Sequence, residues 1–345
     1  MLKIYPLVIS SVERNTQNAV LISFEVTEEV RNKFKFEAGQ YLTLETKIGE
    51  NKVRRSYSIC SPPSDVLQVG IKEIPKGVFS THANRVLKAG ETIMVGTPKG
   101  EFKYVKSLKE QRLVAFAAGS GITPIMSIIK TALNDNKNTS FYLVYGNKTP
   151  EDTMFYKDLK ALEEQFSLRL KIKWVYSREN IPGSFFGRID EAIVKDTLNQ
   201  IEGDTDKFYV CGPEAMINSV SKTLEEKGIS SDKILFELFT SSNQNLEEVS
   251  HSTSATMEII YDDMNFKLNG QEGKSILDTA LDNNLDVPYS CQGGVCSSCI
   301  ARIKSGNAEM QGNQILTESE IKEGLILTCQ AYPTSDNLIV DYDDV

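Results

Sequence analysis

Tyr289-Ser290-Cys291-Gln292-Gly293-Gly294-Val295-Cys296-Ser297-Ser298-Cys299 places three cysteines in one loop with the spacing C-x4-C-x2-C, and Cys329 follows after a further 29 residues. A loop this compact brings three thiolates to one side of a metal unit, and the distant fourth closes the cage. This is the ligand spacing of a [2Fe-2S] centre, so Cys291, Cys296, Cys299 and Cys329 are its expected ligands. Gly293 and Gly294 let the backbone curl over the sulfides and offer N–H donors to the negative charge. A zinc site would show paired C-x2-C knuckles, and only Cys296 and Cys299 form one. Disulfides are not expected, because Met1 to Ser10 lacks the apolar core of a secretory signal.

The 345 residues exceed one ordinary core and predict two to three domains. No run reaches the ~18 apolar residues of a membrane span, so the expectation is a cytoplasmic protein with no membrane partner and no nucleic-acid partner. Cys60 and Cys211 lie in apolar or strand-like stretches and read as reduced thiols. His82 and His251 are the only histidines and sit in unrelated segments, which excludes a Rieske centre or a two-histidine iron oxygenase site within this chain. Charge is uneven: residues 257–345 carry 15 acidic against 5 basic side chains, whereas residues 1–242 carry 30 against 33. The acidity therefore belongs to the cysteine-rich segment, where it serves solubility or guides docking.

Three segments and a tether follow from the patterning. Residues 1–108 hold short alternating runs, such as Val20, Ile22, Phe24 and Val26, broken by Gly and Pro turns, and predict an antiparallel β-barrel. Residues 109–242 alternate apolar strands (Leu113 to Ala117, Phe141 to Tyr145, Leu170 to Tyr176, Phe208 to Cys211, Ile234 to Phe239) with helices, which predicts a parallel α/β sheet. Residues 243–256 fall in a Ser/Asn-rich stretch with the composition of a flexible linker. Residues 257–345 form the cluster segment, with Ser275 as the expected N-cap of a helix carrying Ile276, Leu277, Ala280 and Leu281.

Arg55-Ser56-Tyr57-Ser58 offers a cation, an aromatic ring and a hydroxyl on a strand. Such a ladder suits a flavin, with Arg55 on the pyrophosphate, Tyr57 on the ring or ribityl and Ser58 near N5, though an ordinary edge strand would carry the same string. Gly77-Val78-Phe79-Ser80 lies about twenty residues on and opens a helix, whose N–H groups and dipole suit a phosphate. Gly119-Ser120-Gly121-Ile122-Thr123-Pro124 is a second strand-to-helix turn of that kind, but it lacks the third glycine of G-x-G-x-x-G. Cys211-Gly212-Pro213 ends a later strand, where nucleotides bind in parallel sheets. Ser177 and Arg178 end the strand before it. A hydroxyl with a guanidinium suits a 2′-phosphate, favouring NADPH over NADH, with Lys173 or Arg188 as substitutes.

Together these strings resemble the ferredoxin–NADP reductase superfamily, and residues 257–345 resemble a plant-type ferredoxin. The resemblance implies FAD on Arg55, Tyr57, Ser58 and Gly77 to Ser80, and a nicotinamide dinucleotide on Gly119, Gly121, Thr123, Pro124, Ser177, Arg178, Cys211, Gly212 and Pro213. It implies catalytic positions at Ser58, Thr123, Cys211 and Glu237, with Phe239 near the flavin and a β-grasp fold for the ferredoxin part. Family members end near Phe239, whereas this chain continues, which leaves the stacking role of Phe239 open. The domain order is similar to the reductases of multicomponent oxygenases. The strings 117–124 (Ala-Ala-Gly-Ser-Gly-Ile-Thr-Pro) and 327–331 (Leu-Thr-Cys-Gln-Ala) point to their phenylacetyl-CoA epoxidase branch. The implied activity is an oxidoreductase passing electrons from NADPH through FAD and the cluster to an oxygenase. A broad-acceptor diaphorase and a redox-sensing module are the alternatives.

Overall fold

A computed structural model of the protein describes residues 3–201, 203–239 and 255–345. The expected tether falls almost entirely outside the described residues, and the strand that follows it begins at Thr256 rather than 257. The chain divides into two compact units, one spanning Ile4–Glu237 and one containing Leu238–Val345.

The first unit opens with β1 (Ile4–Thr16), β2 (Ala19–Glu25), β3 (Tyr41–Ile48), β4 (Asn51–Ser58), β5 (Gln68–Lys72), α1 (Val78–Arg85) and β6 (Thr92–Gly96). These six strands pair in the order β4-β3-β6-β1-β2-β5, every pair antiparallel. The two ends meet through an antiparallel bridge between Ile59 and Val69, and Cys60 N–H donates to Gln68 O at 2.9 Å, so the sheet closes on itself. The alternation that predicted the strands supplies the filling: Ile9, Ile22, Leu42, Val69 and Val95 are wholly buried. Each such side chain contributes roughly 1.5–3 kcal/mol by leaving water. Val26, the fourth residue of the expected run, falls just past the end of β2.

The chain then alternates β7 (Arg112–Ala118), α2 (Ile122–Asp135), β8 (Ser140–Asn147), α3 (Tyr156–Gln165), β9 (Leu170–Tyr176), β10 (Phe185–Phe186), α4 (Glu191–Gln200), β11 (Lys207–Cys211), α5 (Glu214–Glu226) and β12 (Ile234–Glu237). All six strands run parallel in the order β10-β9-β8-β7-β11-β12. Helices on a parallel sheet bury both faces, and Leu113 to Ala117 in β7 are accordingly all inaccessible. The last strand stops at Glu237, two residues short of the expected Phe239, because its partner β11 ends at Cys211 opposite Glu237.

Barrel and parallel sheet interlock within this unit. Gly70 of β5 lies so close to α2 that a β-carbon there would sit 2.7 Å from the Thr123 methyl. Ser127 Oγ donates to Ser61 O at 2.6 Å, and Asn15 Oδ1 accepts from Phe155 N–H at 2.9 Å.

The second unit carries β13 (Thr256–Tyr261), β14 (Met264–Asn269), α6 (Ile276–Asp282), β15 (Ile300–Ser305), β16 (Ala308–Met310), α7 (Glu318–Lys322), β17 (Leu325–Leu327), β18 (Ala331–Pro333) and β19 (Asn337–Asp341). The main sheet runs β14-β13-β19-β15-β17, with β13 and β19 parallel at its centre, the β-grasp arrangement. Helix α6 starts at Ser275 with a full capping box: Ser275 Oγ accepts from Asp278 N–H at 3.1 Å, and the Asp278 carboxylate accepts from Ser275 N–H at 3.3 Å. Its apolar residues Ile276, Leu277 and Ala280 join the core formed by Met257, Ile259, Ala301 and Val340.

Candidate redox site

In the barrel, β4 lies between β3 and the closing seam. Successive side chains of a strand face opposite ways, and β4 follows that rule. Tyr57 packs on Phe79 of α1 with ring centroids 5.4 Å apart, and the Arg55 charge acts on its hydroxyl, so Arg55 and Tyr57 share the α1 side. Ser58 points elsewhere: its Oγ donates to Glu237 Oε2 at 3.2 Å. Arg55 and Tyr57 thus lie on one face of the strand and Ser58 on the other. Burial pushes the Tyr57 hydroxyl up, so it stays protonated. Behind it, Arg54 is 2% exposed and donates through Nε to Glu45 Oε2 at 2.8 Å. Lys52 Nζ holds Glu45 Oε1 at 3.2 Å. Sequence reasoning missed this buried pair, although Glu45 and Arg54 are cross-strand neighbours once β3 and β4 are paired.

Helix α1 begins at Gly77, where a β-carbon would meet Ser80 Oγ at 2.3 Å, and no side chain caps it. Ser80 Oγ accepts from Ile74 N–H at 3.3 Å and donates to Gly77 O at 3.4 Å, while Phe79 is buried against Tyr57. The Phe79 and Ser80 side chains therefore build the turn, and Val78, 56% exposed, marks where it opens to solvent. What the turn offers a phosphate is backbone N–H and the positive helix end.

In the parallel sheet, strands added after β7 run to one side as β8, β9 and β10, and β11 and β12 lie on the other. The order reverses between β7 and β11, and ligands of open α/β sheets bind in the crevice at such a point, beyond the carboxyl ends of the strands. Gly119 to Pro124 follow β7 there and Cys211-Gly212-Pro213 end β11. A β-carbon on Gly121 would lie 2.1 Å from Cys211 O, so the two turns touch. Gly119 adopts φ +55 with nothing within 4 Å of where a β-carbon would stand, an open cradle for a ligand. No acidic residue occupies the first turn of α2, which contains Pro124. Thr123 is 1% exposed and its Oγ1 donates to Ser120 O at 3.0 Å. Burial, and then the Glu237 charge, push the Cys211 thiol well up, leaving it neutral. Ser58, Cys211 and Glu237 are thus joined through Ser58–Glu237 and the Cys211–Glu237 strand pair, and the Gly121–Cys211 contact brings up the turn that Thr123 follows by two residues.

Ser177 and Arg178 follow β9, with backbone N–H groups on Asn147 O and Lys148 O, both at 3.0 Å. Arg178 is exposed. Arg188 is exposed too and follows β10, whose Phe186 pairs with Tyr176. Lys173, the other proposed substitute, is excluded: it is 6% exposed, with Nζ on Asp196 Oδ2 at 2.7 Å and Thr197 Oγ1 at 3.1 Å. Phe239 lies beyond β12, in the second unit.

In the second unit the thiols form a chain of contacts, Cys296 to Cys291 to Cys329 to Cys299, the last pair 3.3 Å apart. All four are free thiols. No group of three or more His, Cys, Asp or Glu side chains among the described residues closes on one metal position. A linear run of thiols suits a two-iron unit, which spreads its ligands over two metals, and at 3.3 Å Cys299 and Cys329 are close enough to share one of them. The loop turns by positive φ at Gln292 (55°) and Gly294 (72°), not at Gly293, whose N–H donates to Cys291 Sγ at 3.4 Å. Gln330 Nε2 donates to Gln292 O at 3.2 Å and pins the loop to the segment bearing Cys329.

Three family matches cover the chain: an oxidoreductase FAD-binding domain over residues 6–104, an oxidoreductase NAD-binding domain over 116–222 and a 2Fe-2S iron-sulfur cluster binding domain over 259–334. One subunit of the 1,2-phenylacetyl-CoA epoxidase of Escherichia coli is 33% identical over 99% of both chains. The chain belongs to the ferredoxin–NADP reductase superfamily, oxygenase-reductase type. Another relative of this reductase type, the ferredoxin reductase component of 3-ketosteroid-9-alpha-monooxygenase from Rhodococcus rhodochrous, is 32% identical over 97% of this chain and 96% of its own. The fold of the reductase is shared with phthalate dioxygenase reductase, at a TM-score of 0.68 over 98% of both chains and 24% identity. No helix among its described residues is long and apolar enough to cross a membrane.

Proposed function

We propose that this reductase takes electrons from NADPH through FAD to the [2Fe-2S] cluster and delivers them to an oxygenase, a di-iron complex of the phenylacetyl-CoA epoxidase kind. The observation that carries this reading is the identity with the phenylacetyl-CoA epoxidase chain across 99% of both sequences, which spans all three modules. When bound, FAD converts hydride transfer into single-electron steps and the cluster relays them. The chain's own residues bind and orient. Arg55 and the α1 N-terminus hold the flavin pyrophosphate, and Tyr57 lies along the ring system. Ser58, its hydroxyl proton given to Glu237, presents its oxygen to the flavin's reacting edge. The α2 turn seats the dinucleotide pyrophosphate, with Thr123 and the neutral Cys211 beside the nicotinamide. Arg178, aided by Arg188, receives the 2′-phosphate. The identity with the 3-ketosteroid-9-alpha-monooxygenase component supports a second reading, in which the partner is a monooxygenase acting on another substrate.

The test is ferricyanide reduction with each nucleotide, followed by reconstitution with a purified di-iron epoxidase. The expected result is at least a tenfold higher kcat/KM with NADPH and substrate-dependent oxygen uptake once the epoxidase is added. A preference for NADH overturns the nucleotide assignment. Equal turnover with free quinones, and none with the epoxidase, favours the broad-acceptor alternative.

A further inference from the structure

Beneath the cysteine pair Cys299 and Cys329 runs a buried chain of hydroxyls that the ligand set does not require. Tyr342, just past β19, donates through Oη to Thr328 Oγ1 at 2.8 Å, and Thr328 Oγ1 donates to Cys299 O at 3.0 Å. Thr328 N–H donates to the same carbonyl at 3.1 Å. The three residues are almost fully shielded, with Tyr342 5%, Thr328 0% and Cys299 1% exposed. A hydroxyl has one proton to give. Thr328 spends its proton on Cys299 O, so only Tyr342 can be the donor between the two hydroxyls. Backbone contacts fix the ends: Tyr342 N–H donates to Ile260 O at 2.9 Å, and Tyr261 packs edge-on against its ring at 6.1 Å. Burial pushes the Tyr342 hydroxyl far up, so it remains a donor throughout the working pH range.

We propose that Tyr342 is a positioning residue for electron transfer: its hydroxyl, acting through Thr328, directs a chain of two O–H donors onto the backbone carbonyl of the ligand Cys299 and raises the cluster's reduction potential. Each donor in the chain turns its positive end toward the backbone of a ligand to a centre that gains negative charge on reduction. In a dry interior neither is screened by water, and hydrogen bonding around the ligands is one of the levers that set iron–sulfur potentials. The proposal rests on the four cysteines holding the cluster, which the visible spectrum of the wild-type protein checks separately.

The experiment is a spectroelectrochemical titration of the full-length holoprotein, with cluster content read from iron and sulfide analysis. Tyr342→Phe is expected to retain the cluster and shift the oxidised–reduced equilibrium three- to tenfold toward the oxidised form; tenfold is 59 mV for a one-electron couple. Thr328→Val, which interrupts the relay, should reproduce that shift, and Thr328→Ser should keep the wild-type potential. The double variant Tyr342→Phe/Thr328→Val should move no further than Thr328→Val alone, because the relay acts as a unit. An unchanged midpoint in Tyr342→Phe, or additive shifts in the double variant, overturns the proposal. So does loss of cluster with an unaltered potential in the fraction that remains, since that would make Tyr342 a fold residue only. Should Tyr342→Phe fail to fold, Thr328→Val against Thr328→Ser still decides the question.

Discussion

Ser58 Oγ donates to Glu237 Oε2 at 3.2 Å, joining the last residue of a barrel strand to the last residue of the parallel sheet's edge strand, 179 positions away. The strand proposed to face the flavin and the turns proposed to seat the nucleotide are therefore neighbours within one unit, and the hydroxyl has a fixed direction before any ligand arrives. Ser58→Ala should leave FAD bound and slow flavin reduction by NADPH by about 10²–10⁴-fold, the usual scale for a positioned hydroxyl in proton management. Stopped-flow bleaching of the flavin measures it. Wild-type speed in the variant would confine the serine to packing.

Arg178 is expected to govern nucleotide choice. A charge-assisted hydrogen bond contributes about 1.5–3 kcal/mol, so Arg178→Ala should weaken NADPH roughly ten- to a hundredfold and leave NADH nearly unaffected. Titration of each nucleotide, read on the fluorescence of Trp174, the sole tryptophan, is a direct measurement. Equal weakening of both would mean that the residue supports the strand end instead.

Gly121→Ala should be costly, since the new methyl would stand 2.1 Å from the Cys211 carbonyl. Neither backbone can yield without separating the two turns. Overpacking of this kind costs about 1–3 kcal/mol, and urea unfolding should show it together with a higher KM for the nucleotide. Unaltered stability would show that the junction flexes.

How much of this could be read beforehand differs from one residue to the next. Leu170 to Tyr176 forms a strand with the expected limits because Leu170, Ile172, Trp174 and Tyr176 recur at the period of two that defines one face of a strand. Ser275 caps α6 because its partner Asp278 is three residues away and needs no tertiary information. Lys173 is the opposite case. Its sequence neighbourhood offers a cation near a strand end, and only the packing of α4 shows Asp196 already holding it. The face taken by Ser58, and the buried Arg54–Glu45 pair, likewise depend on strand register, which alternation alone does not reveal. The two-residue β10 was invisible for a similar reason: its pairing with β9 is imposed by the neighbour, not by its own pattern.

Cys296→Ser should divide the electron path. With a cluster ligand gone, NADPH-driven ferricyanide reduction should persist near the wild-type rate, while transfer to a one-electron protein acceptor falls to background. A folded variant that loses both activities would show that ferricyanide draws its electrons from the cluster.

The segment after residue 256 carries 15 acidic against 5 basic side chains, and salt should expose its use. Exposed charges are screened over about 8 Å at physiological ionic strength, so the bimolecular rate with the protein acceptor should fall steeply between low and high salt. Stopped-flow mixing across that range is the measurement. A flat profile would restrict the acidity to solubility.

The parallel sheet of the NAD-binding domain ends in strands of two residues, Phe185–Phe186, and four residues, Ile234–Glu237. An edge so short presents too few backbone groups to template a strand from another molecule. The barrel, closed through Ile59 and Val69, presents its seam already paired. Within this unit, then, neither sheet offers another copy of the chain a long open edge on which aggregation could start.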